Sequence, residues 1–393
     1  MTFSKRMDRI RPSAIRSVQK KIAAKEGVIS FAAGLPDPAL FPLGKLSEAT
    51  SDMIKDEGRI AFQYGLTKGY APLIDIIAAR MQKKGVLSAF AENIIITAGS
   101  QQGLALCAMM FLDEGDMVVC ENPSYLGGIN ACRPYGVEFA GVNTDENGID
   151  TIQLDEMLSS NGRIKMIYVI PNFQNPTGKE WSKENREDFM KVIEKHDVIV
   201  VEDDPYGELR FAGTDKPILK SMDTQGKVIY LGSFSKVMAP GLRLAWMCAD
   251  KKITAQAELI KEGWDLQSNQ FSQLQMVRFM EENDLDEHID MIRKKYRRKC
   301  NLMLQQMELH FPADTFFTKP YGGMFIWVEL PYGIDAELFL EEALEAGIAF
   351  IPGKYFFANE GADNTVRMNF TTVSEEEITK GIEIMGNLLK KKK

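Results

Sequence analysis

Short apolar runs alternate with helical patterns through the middle of the chain. Helical patterns cover residues 100–112 and 180–196. The predicted strands are residues 93–97, 117–120, 165–170, 198–201, 227–231 and 244–248. Strands that are apolar throughout are buried on both faces, and their alternation with helices is typical of a mostly parallel sheet covered by helices. We therefore predict an α/β fold.

The pattern changes at residue 286. Apolar residues recur there at spacings of three and four, which predicts one long helix; they are Ile289, Ile292, Tyr296, Cys300, Met303 and Met307. Strands at 323–329, 348–351 and 365–370 and helices at 335–346 and from 375, with Ser374 as its N-cap, follow. We expect a large domain at 46–285 and a smaller α+β domain at 1–45 and 286–393, whose N-terminal arm packs on it.

Composition and charge exclude several classes of protein. The 393 residues are 45% hydrophobic and 26% charged, which are ordinary globular values. The chain has 47 basic and 55 acidic residues, so its net charge is −8 and a nucleic-acid-binding surface is not expected. No apolar run reaches the roughly 18 residues of a membrane span. Five scattered cysteines without a CxxC pair indicate reduced thiols and a cytoplasmic protein.

Histidine chemistry is also not expected. The three histidines, His196, His288 and His310, never pair at metal-ligand spacing. A histidine-based zinc site or a Ser-His-Asp triad is therefore disfavoured. We expect no metal, and the chemistry must rest on other groups.

Two segments at strand ends are suited to a phosphate. Ser100 and Gln101 begin a helix directly after Gly99, so their free N–H groups form an anion site. Lys236 follows a buried strand, and burial makes a lysine a nucleophilic amine. Ser233, Ser235 and Arg243 lie beside it in sequence and suit a phosphate. Taken singly, a plain capped helix and a solvated loop lysine remain open alternatives.

Two further segments carry acids and amides at strand ends. Asp203 and Asp204 follow the strand at 198–201, with Tyr206 close behind, and Asn175 lies in a Pro-Thr-Gly turn. Solvated turn acids and a simple proline turn are the alternatives here. Together the four segments indicate one ligand that carries a phosphate, a carbonyl, a cationic ring nitrogen and a further oxygen. Pyridoxal 5′-phosphate has all four.

The chain resembles the fold-type I, pyridoxal-phosphate-dependent class I aminotransferases. The matching segments, in order, are AAGLPDPALFP, AGSQQGL, FQNPTG, EDDPYG, SFSK and PGLR. The similarity runs from Arg11 to about Leu389. It is strongest to the branch of 2-aminoadipate, aromatic and branched-chain aminotransferases, which also supplies the effector domains of MocR-type regulators.

The resemblance implies a role for each coenzyme-site residue. Lys236 would bind the coenzyme covalently and then move a proton as general base and acid. Asp203 would keep the pyridine nitrogen protonated, with Asp204 as second choice, while Tyr206 and Asn175 would hydrogen-bond the coenzyme 3′-oxygen. The phosphate would be held by Ser100, Gln101, Ser233, Ser235 and Arg243, and Tyr125 would stack on the ring.

The resemblance also implies a substrate site and a second subunit. Arg367 would clamp the substrate α-carboxylate bidentately, Asn175 would also contact the substrate, and Gly34 would supply a backbone contact. Arg16, on an arm helix capped by Ser13, would meet the distal carboxylate of acidic substrates. Tyr64 would reach the coenzyme phosphate of the neighbouring subunit, which implies a homodimer.

The expected reaction is transfer of an amino group from an L-amino acid (2-aminoadipate, aromatic or branched-chain) to a 2-oxo acid such as 2-oxoglutarate. A lyase or decarboxylase on the same scaffold is an alternative that Lys236 and Asp203 cannot separate. A regulator's effector domain is another alternative. Such regulators carry a winged-helix module ahead of the domain, and a similarity beginning at Arg11 leaves no room for it.

Overall fold

The computed structural model describes residues 1–10, 14–359 and 361–392; Arg11 and Ser13, named above, lie outside them. Its helices are α1 Ala14–Ala23, α2 Leu43–Ala61, α3 Ala71–Lys83, α4 Ser100–Phe111, α5 Leu126–Cys132, α6 Thr151–Ser160, α7 Lys183–Lys195, α8 Leu219–Met222, α9 Lys251–Trp264, α10 Gln270–Glu282, α11 Leu285–His310, α12 Ala336–Glu345 and α13 Glu375–Lys390. Its strands are β1 Ile29–Ser30, β2 Ile94–Thr97, β3 Met117–Asn122, β4 Glu138–Asn143, β5 Ile164–Val169, β6 Ile199–Asp203, β7 Val228–Ser233, β8 Ala245–Cys248, β9 Phe316–Phe317, β10 Phe325–Glu329, β11 Ile348–Ala349, β12 Ile351–Pro352 and β13 Thr365–Asn369.

The central sheet has the order β2-β8-β7-β6-β5-β3-β4 within the described residues. Strands β7, β6, β5, β3 and β4 pair in parallel, and β8 runs antiparallel to both of its neighbours. The predicted α/β fold with a mostly parallel sheet is confirmed. Strand β4 was not predicted, because its side chains are mostly half-buried or exposed and its sequence lacks a continuous apolar run.

Polar caps fix where the predicted helices begin. The Ser182 hydroxyl accepts a hydrogen bond from Asn185 N, so α7 begins at Lys183 rather than at residue 180. Ser374 and Glu377 form a reciprocal capping box, which confirms Ser374 as the cap of α13. The apolar stripe predicted for the long helix is buried on α11, which packs against α13.

The smaller sheet is antiparallel and has the order β12-β13-β10-β9 in the described chain. The single strand predicted at 348–351 is two short strands. β11 pairs in parallel with β1 of the N-terminal arm, and β12 pairs with β13. These two short strands therefore pair with different elements. The pairing of Ile29 with Ile348 attaches the N-terminal arm to β11, next to the smaller sheet. The division into domains at 46 and 286 stays a prediction.

Among the described residues, none of the helices combines the length and the apolar character needed to cross a membrane.

Candidate active site

Lys236 lies in the loop after β7 and points to the N-terminal arm. Its Nζ donates a hydrogen bond of 3.1 Å to the Gly34 carbonyl oxygen. Burial lowers the pKa of this amine to about 8, and the charges of Arg367 and Arg243 act in the same direction. A lysine with such a pKa is partly unprotonated near neutral pH and can act as a nucleophile or a base.

Asp203 is the last residue of β6 and is buried. It lies close enough to Lys236 for the charge of that amine to lower the pKa of its carboxyl. Its Oδ2 accepts a 2.9 Å hydrogen bond from the Tyr168 hydroxyl. Burial raises the pKa of this carboxyl to about 7, and the Tyr168 hydrogen bond acts against that rise. Its Oδ1 is buried, and no hydrogen-bond donor in the described part of the chain reaches it. One carboxylate oxygen thus remains available to a ligand.

Asp204 has different surroundings. Its two oxygens accept hydrogen bonds from Asn172 Nδ2 at 2.9 Å and from the Tyr230 hydroxyl at 2.8 Å, and Lys84 Nζ lies 3.6 Å away. Both oxygens therefore have protein partners. This favours Asp203 over Asp204 as the acid that meets a ligand.

The start of α4 and Arg243 lie side by side. Gly99 has φ 86°, and a Cβ there would stand 2.3 Å from Arg243 Nη2, so any other residue would strain the backbone and displace the guanidinium. Arg243 Nη2 donates to the Ala98 carbonyl oxygen at 3.1 Å. The Ser100 hydroxyl is buried and has no partner among the residues described. Helix N–H groups, a hydroxyl and a guanidinium together form an anion site.

Two serines of the Lys236 loop lie at the end of β7. The buried Ser233 accepts a hydrogen bond on its hydroxyl oxygen from Ser235 N at 3.1 Å. This local bond closes the turn that leads from the strand to Lys236. Gln101 is exposed and donates through Nε2 to the Gly127 carbonyl oxygen at 3.1 Å.

Arg367 lies on β13 and is 2% exposed. Its Nη1 donates to Asn175 Oδ1 at 3.0 Å and its Nη2 donates to the Ala32 carbonyl oxygen at 2.7 Å. The guanidinium carbon lies 4.5 Å from the Phe325 ring centroid and 5.1 Å from that of Phe356. Burial lowers its pKa to about 10, so it stays cationic at neutral pH. Such a buried, held guanidinium suits a carboxylate.

Tyr206 connects the acid loop to Asn175. Its hydroxyl oxygen accepts a 3.5 Å hydrogen bond from Asn175 Nδ2, and its ring packs edge-on against Phe325 at 5.7 Å. Burial raises the pKa of the Tyr206 hydroxyl, so it remains an O–H donor at neutral pH. Tyr125 is half-buried, and the charges of Asp203 and Arg367 both reach its hydroxyl.

The chain matches the family model of class I and II aminotransferases over residues 26–385. It is 38% identical to aromatic-amino-acid aminotransferase 1 of Thermococcus litoralis, over 99% of this chain and 94% of that protein. It is 39% identical to the 2-aminoadipate transaminase of Thermus thermophilus, over 99% and 96%. The solved structure of Pyrococcus horikoshii kynurenine aminotransferase, in complex with PMP, aligns with TM-score 0.94 and 38% identity, over 99% of this chain and 97% of that one.

The chain belongs to the class I and II aminotransferases.

As an aminotransferase it uses pyridoxal 5′-phosphate, and the site fits that coenzyme. Three buried polar atoms lack a partner among the described residues, at three places where the coenzyme or substrate has a matching group: Asp203 Oδ1, Ser100 Oγ and Arg367 Nε. A buried polar atom without a partner is costly. A ring N–H, a phosphate and a substrate carboxylate would satisfy them in turn.

Two of the predicted site residues lie apart from this cluster. Tyr64 is 78% exposed beyond the end of α2, in a segment that packs on the loop between α9 and α10 through Gly65. Arg16 is exposed on α1, with Val18 buried on the opposite side. Burial raises the pKa of the Tyr125 hydroxyl, and the positive charge of Arg16 is one of those that act against that rise.

The sequence prediction missed Tyr168, Phe325 and Phe356. Tyr168 places a hydroxyl in an otherwise aliphatic strand, seven residues before Asn175. A polar group at that position was a signal that the sequence offered. The two phenylalanines that flank Arg367 carry no signal of their own: Phe325 lies in β10, where aromatic residues are common, and Phe356 lies in a short turn of 3-10 helix. The Ala32 carbonyl was also missed, because a main-chain acceptor is independent of residue type.

Proposed function

We propose that this aminotransferase transfers the amino group of 2-aminoadipate and of aromatic or branched-chain L-amino acids to a 2-oxo acid, with 2-oxoglutarate as acceptor. The observation that carries the proposal is the approach of Lys236 and Arg367 to one arm segment: they donate to the carbonyl oxygens of Gly34 and Ala32. An amino acid held by its carboxylate at Arg367 would present its Cα to the Lys236 amine.

The roles of the site residues follow from their surroundings. When bound, pyridoxal phosphate supplies an electron sink that makes the Cα proton of the amino acid acidic. Lys236, with its pKa near 8, would accept that proton and return it at another carbon. Asp203 would offer its free Oδ1 to the ring nitrogen, and Asn175 and Tyr206 would hold the 3′-oxygen.

The remaining coenzyme contacts are proposed on the same basis. The phosphate would lie at the anion site described above, held by Ser100, Gln101, Ser233, Ser235 and Arg243. Tyr125 would cover the ring, since its hydroxyl feels the charges of Asp203, Arg367 and Arg243. Lys236 would carry the covalent link.

Substrate breadth is proposed from Arg16 and from the relatives. Relatives at 38–39% identity are named for aromatic amino acids and for 2-aminoadipate. Arg16 is on an exposed helix, and its charge reaches Tyr125. An arginine at the mouth of the site would pair with a distal carboxylate and would turn to solvent when the substrate side chain is apolar.

We also propose a homodimer. Tyr64, Phe62 and Leu66 form an apolar run that is 70–78% exposed, and exposed apolar patches mark interfaces. A second copy of this chain covering the run would bring Tyr64 toward its coenzyme. The cytoplasm remains the proposed compartment, supported by five buried thiols outside any disulfide in the described structure.

A panel of amino donors with 2-oxoglutarate as acceptor tests the proposal. We expect glutamate formation from 2-aminoadipate, phenylalanine and leucine, with one coenzyme bound per subunit through a borohydride-labelled Lys236. Lys236→Ala is the control and should abolish turnover while retaining coenzyme without the covalent link. Release of carbon dioxide or of an eliminated side chain without amino transfer would favour the lyase or decarboxylase alternative.

A further inference from the structure

Strand β6 ends at Asp203, and Asp204 follows it directly; each of these two carboxylates receives a tyrosine hydroxyl from a different neighbouring strand. Tyr168 on β5 donates to Asp203 at 2.9 Å, and Tyr230 on β7 donates to Asp204 at 2.8 Å. Tyr168 lies beside Val201 of β6, and Tyr230 lies beside Glu202. Successive residues of a strand point to opposite faces, so the two tyrosines lie on different sides of the sheet. Burial raises the pKa of both tyrosines well above the usual value, so both hydroxyls keep their protons and donate.

The two pairs differ in what the tyrosine leaves available. Asp204 has a second donor in Asn172, so neither of its oxygens is left for a ligand. Asp203 receives Tyr168 on Oδ2 only, and its Oδ1 is without a partner in the described chain. Tyr168 therefore holds one oxygen of Asp203 and leaves the other oxygen to the site.

Asp203 lies among several groups that act on its charge. Those facing it from neighbouring elements are Tyr168, Asp204, Lys236, Cys107, Tyr125 and Tyr206. Of these, Tyr168 is the one that hydrogen-bonds it. A hydrogen bond to the ionised form favours that form. It therefore opposes the effect of burial, which favours the neutral acid.

Gly128 on α5 makes room for the Tyr168 ring. A Cβ at Gly128 would lie 2.4 Å from Tyr168 Cε1 and 2.9 Å from its hydroxyl oxygen. Real Cβ atoms do not approach that closely, so any larger residue would displace the ring and its hydroxyl. Two elements, β5 and α5, are thus built around this one hydroxyl.

We propose that Tyr168 is a positioning residue for Asp203: its hydroxyl keeps the carboxylate ionised and turned so that the free oxygen meets the coenzyme ring nitrogen, and Gly128 is required to accommodate it. The inference rests on the role proposed for Asp203. Its consequence is that Tyr168 controls where the proton shared by the ring nitrogen and Asp203 resides, without itself touching the coenzyme.

The test is the ¹⁵N chemical shift of the ring nitrogen in holoenzyme reconstituted with ¹⁵N-labelled pyridoxal phosphate, recorded across neutral pH. Wild type should give the protonated value. In Tyr168→Phe the carboxylate should bind a proton about 10- to 100-fold more tightly, so the shift moves toward the unprotonated value. The kcat should fall by a similar factor, with KM for the amino donor little changed. Gly128→Ala should reproduce both effects.

Tyr230→Phe is the matched control, since it removes the same hydroxyl from Asp204; its ring-nitrogen signal should equal that of wild type. Equal shifts in Tyr168→Phe and Tyr230→Phe would reveal general loosening of the sheet and overturn the inference. Asp203→Asn distinguishes a failure of the role inferred for Tyr168 from a failure of the role proposed for Asp203. If Asp203→Asn moves the signal and Tyr168→Phe does not, only the role of Tyr168 fails; if Asp203→Asn does not move it, the assignment of Asp203 fails.

Discussion

Arg367 and Asn175 are joined by a hydrogen bond of 3.0 Å between Nη1 and Oδ1, although 192 residues separate them in the chain. The same Asn175 side chain reaches the Tyr206 hydroxyl through its Nδ2. The residue proposed to bind the substrate carboxylate is therefore held by a residue proposed to bind the coenzyme. Correct placement of one depends on the other.

Replacement of Arg367 should weaken every amino donor alike, because the α-carboxylate is common to all of them. Arg367→Lys keeps a positive charge but loses the two parallel N–H groups, and we expect kcat/KM to fall at least about 100-fold. Steady-state kinetics with 2-aminoadipate and leucine measure this. Arg298→Lys, at a side chain that is 71% exposed, is the control. A loss confined to one donor would assign Arg367 to the side chain of the substrate instead.

Asp203→Asn and Asp204→Asn should have opposite consequences. Asp203→Asn removes the charge facing the ring, so kcat should fall by more than the ~10² to 10⁴ typical of an acid–base residue, with the coenzyme still bound. Asp204→Asn weakens the contacts with Tyr230 and Lys84, so the free energy of unfolding should fall by about 1–3 kcal/mol with kcat largely kept. Turnover and chemical denaturation of both variants decide the point, and the reverse pattern would identify Asp204 as the functional acid.

The pH dependence of coenzyme incorporation should report the pKa of Lys236. Only the unprotonated amine attacks the coenzyme carbonyl, so the rate of incorporation into apoenzyme should rise with pH and level off above about 8. Asp203, with a pKa of about 7, ionises in the lower part of this rise. Arg367→Ala removes a positive charge that lowers the pKa of Lys236, so the midpoint should move to higher pH. Stopped-flow absorbance measures it, and a wild-type midpoint near that of an ordinary lysine would contradict the prediction.

Arg16→Ala should distinguish acidic from apolar donors. A hydrogen bond to a charged group contributes about 1.5–3 kcal/mol, so kcat/KM for glutamate or 2-aminoadipate should fall roughly 10- to 150-fold. Values for leucine and phenylalanine should change little. Lys20→Ala removes another exposed cation from α1 and serves as the control. Equal losses for both classes of donor would make Arg16 a structural residue.

Mixed dimers should show whether Tyr64 acts on the neighbouring subunit. A dimer of one Tyr64→Ala subunit and one Lys236→Ala subunit contains one site in which both residues are wild type. It should regain about half of the wild-type activity, whereas each variant alone is impaired. Analytical ultracentrifugation confirms the assembly. Failure of mixing to restore activity, or a fully active monomer, would place Tyr64 outside the partner's site.

Much of the central sheet could be predicted from the sequence, because buried parallel strands are continuous apolar runs bounded by polar loops. Lys236, Asp203, Asn175 and the start of α4 were found for the same reason: they lie at or just after the ends of those runs. The contact between Tyr168 and Asp203 was not predictable in this way. It depends on the register of β5 against β6, and an apolar pattern does not fix which residues of two parallel strands are neighbours.

The N-terminal arm could be predicted only in outline. Ile15, Val18 and Ile22 recur at helical spacing in the sequence, and in α1 Val18 is buried while Arg16 is exposed. The pairing of β1 with β11 was not predicted, since two residues carry no periodicity. The split of 348–351 into two strands has the same origin, because a run of apolar residues does not reveal that its halves pair with different partners.

The arm meets Lys236 and Arg367 through the carbonyl oxygens of Gly34 and Ala32. Every amino acid supplies a carbonyl, so these two contacts do not constrain the side chains along the rest of the arm. The exposed positions of the helix that bears Arg16 can therefore change without altering these two contacts. If Arg16 contacts the substrate side chain as proposed, residues 14–28 are the segment onto which the donor specificity of one relative could be grafted without touching the residues that carry the chemistry.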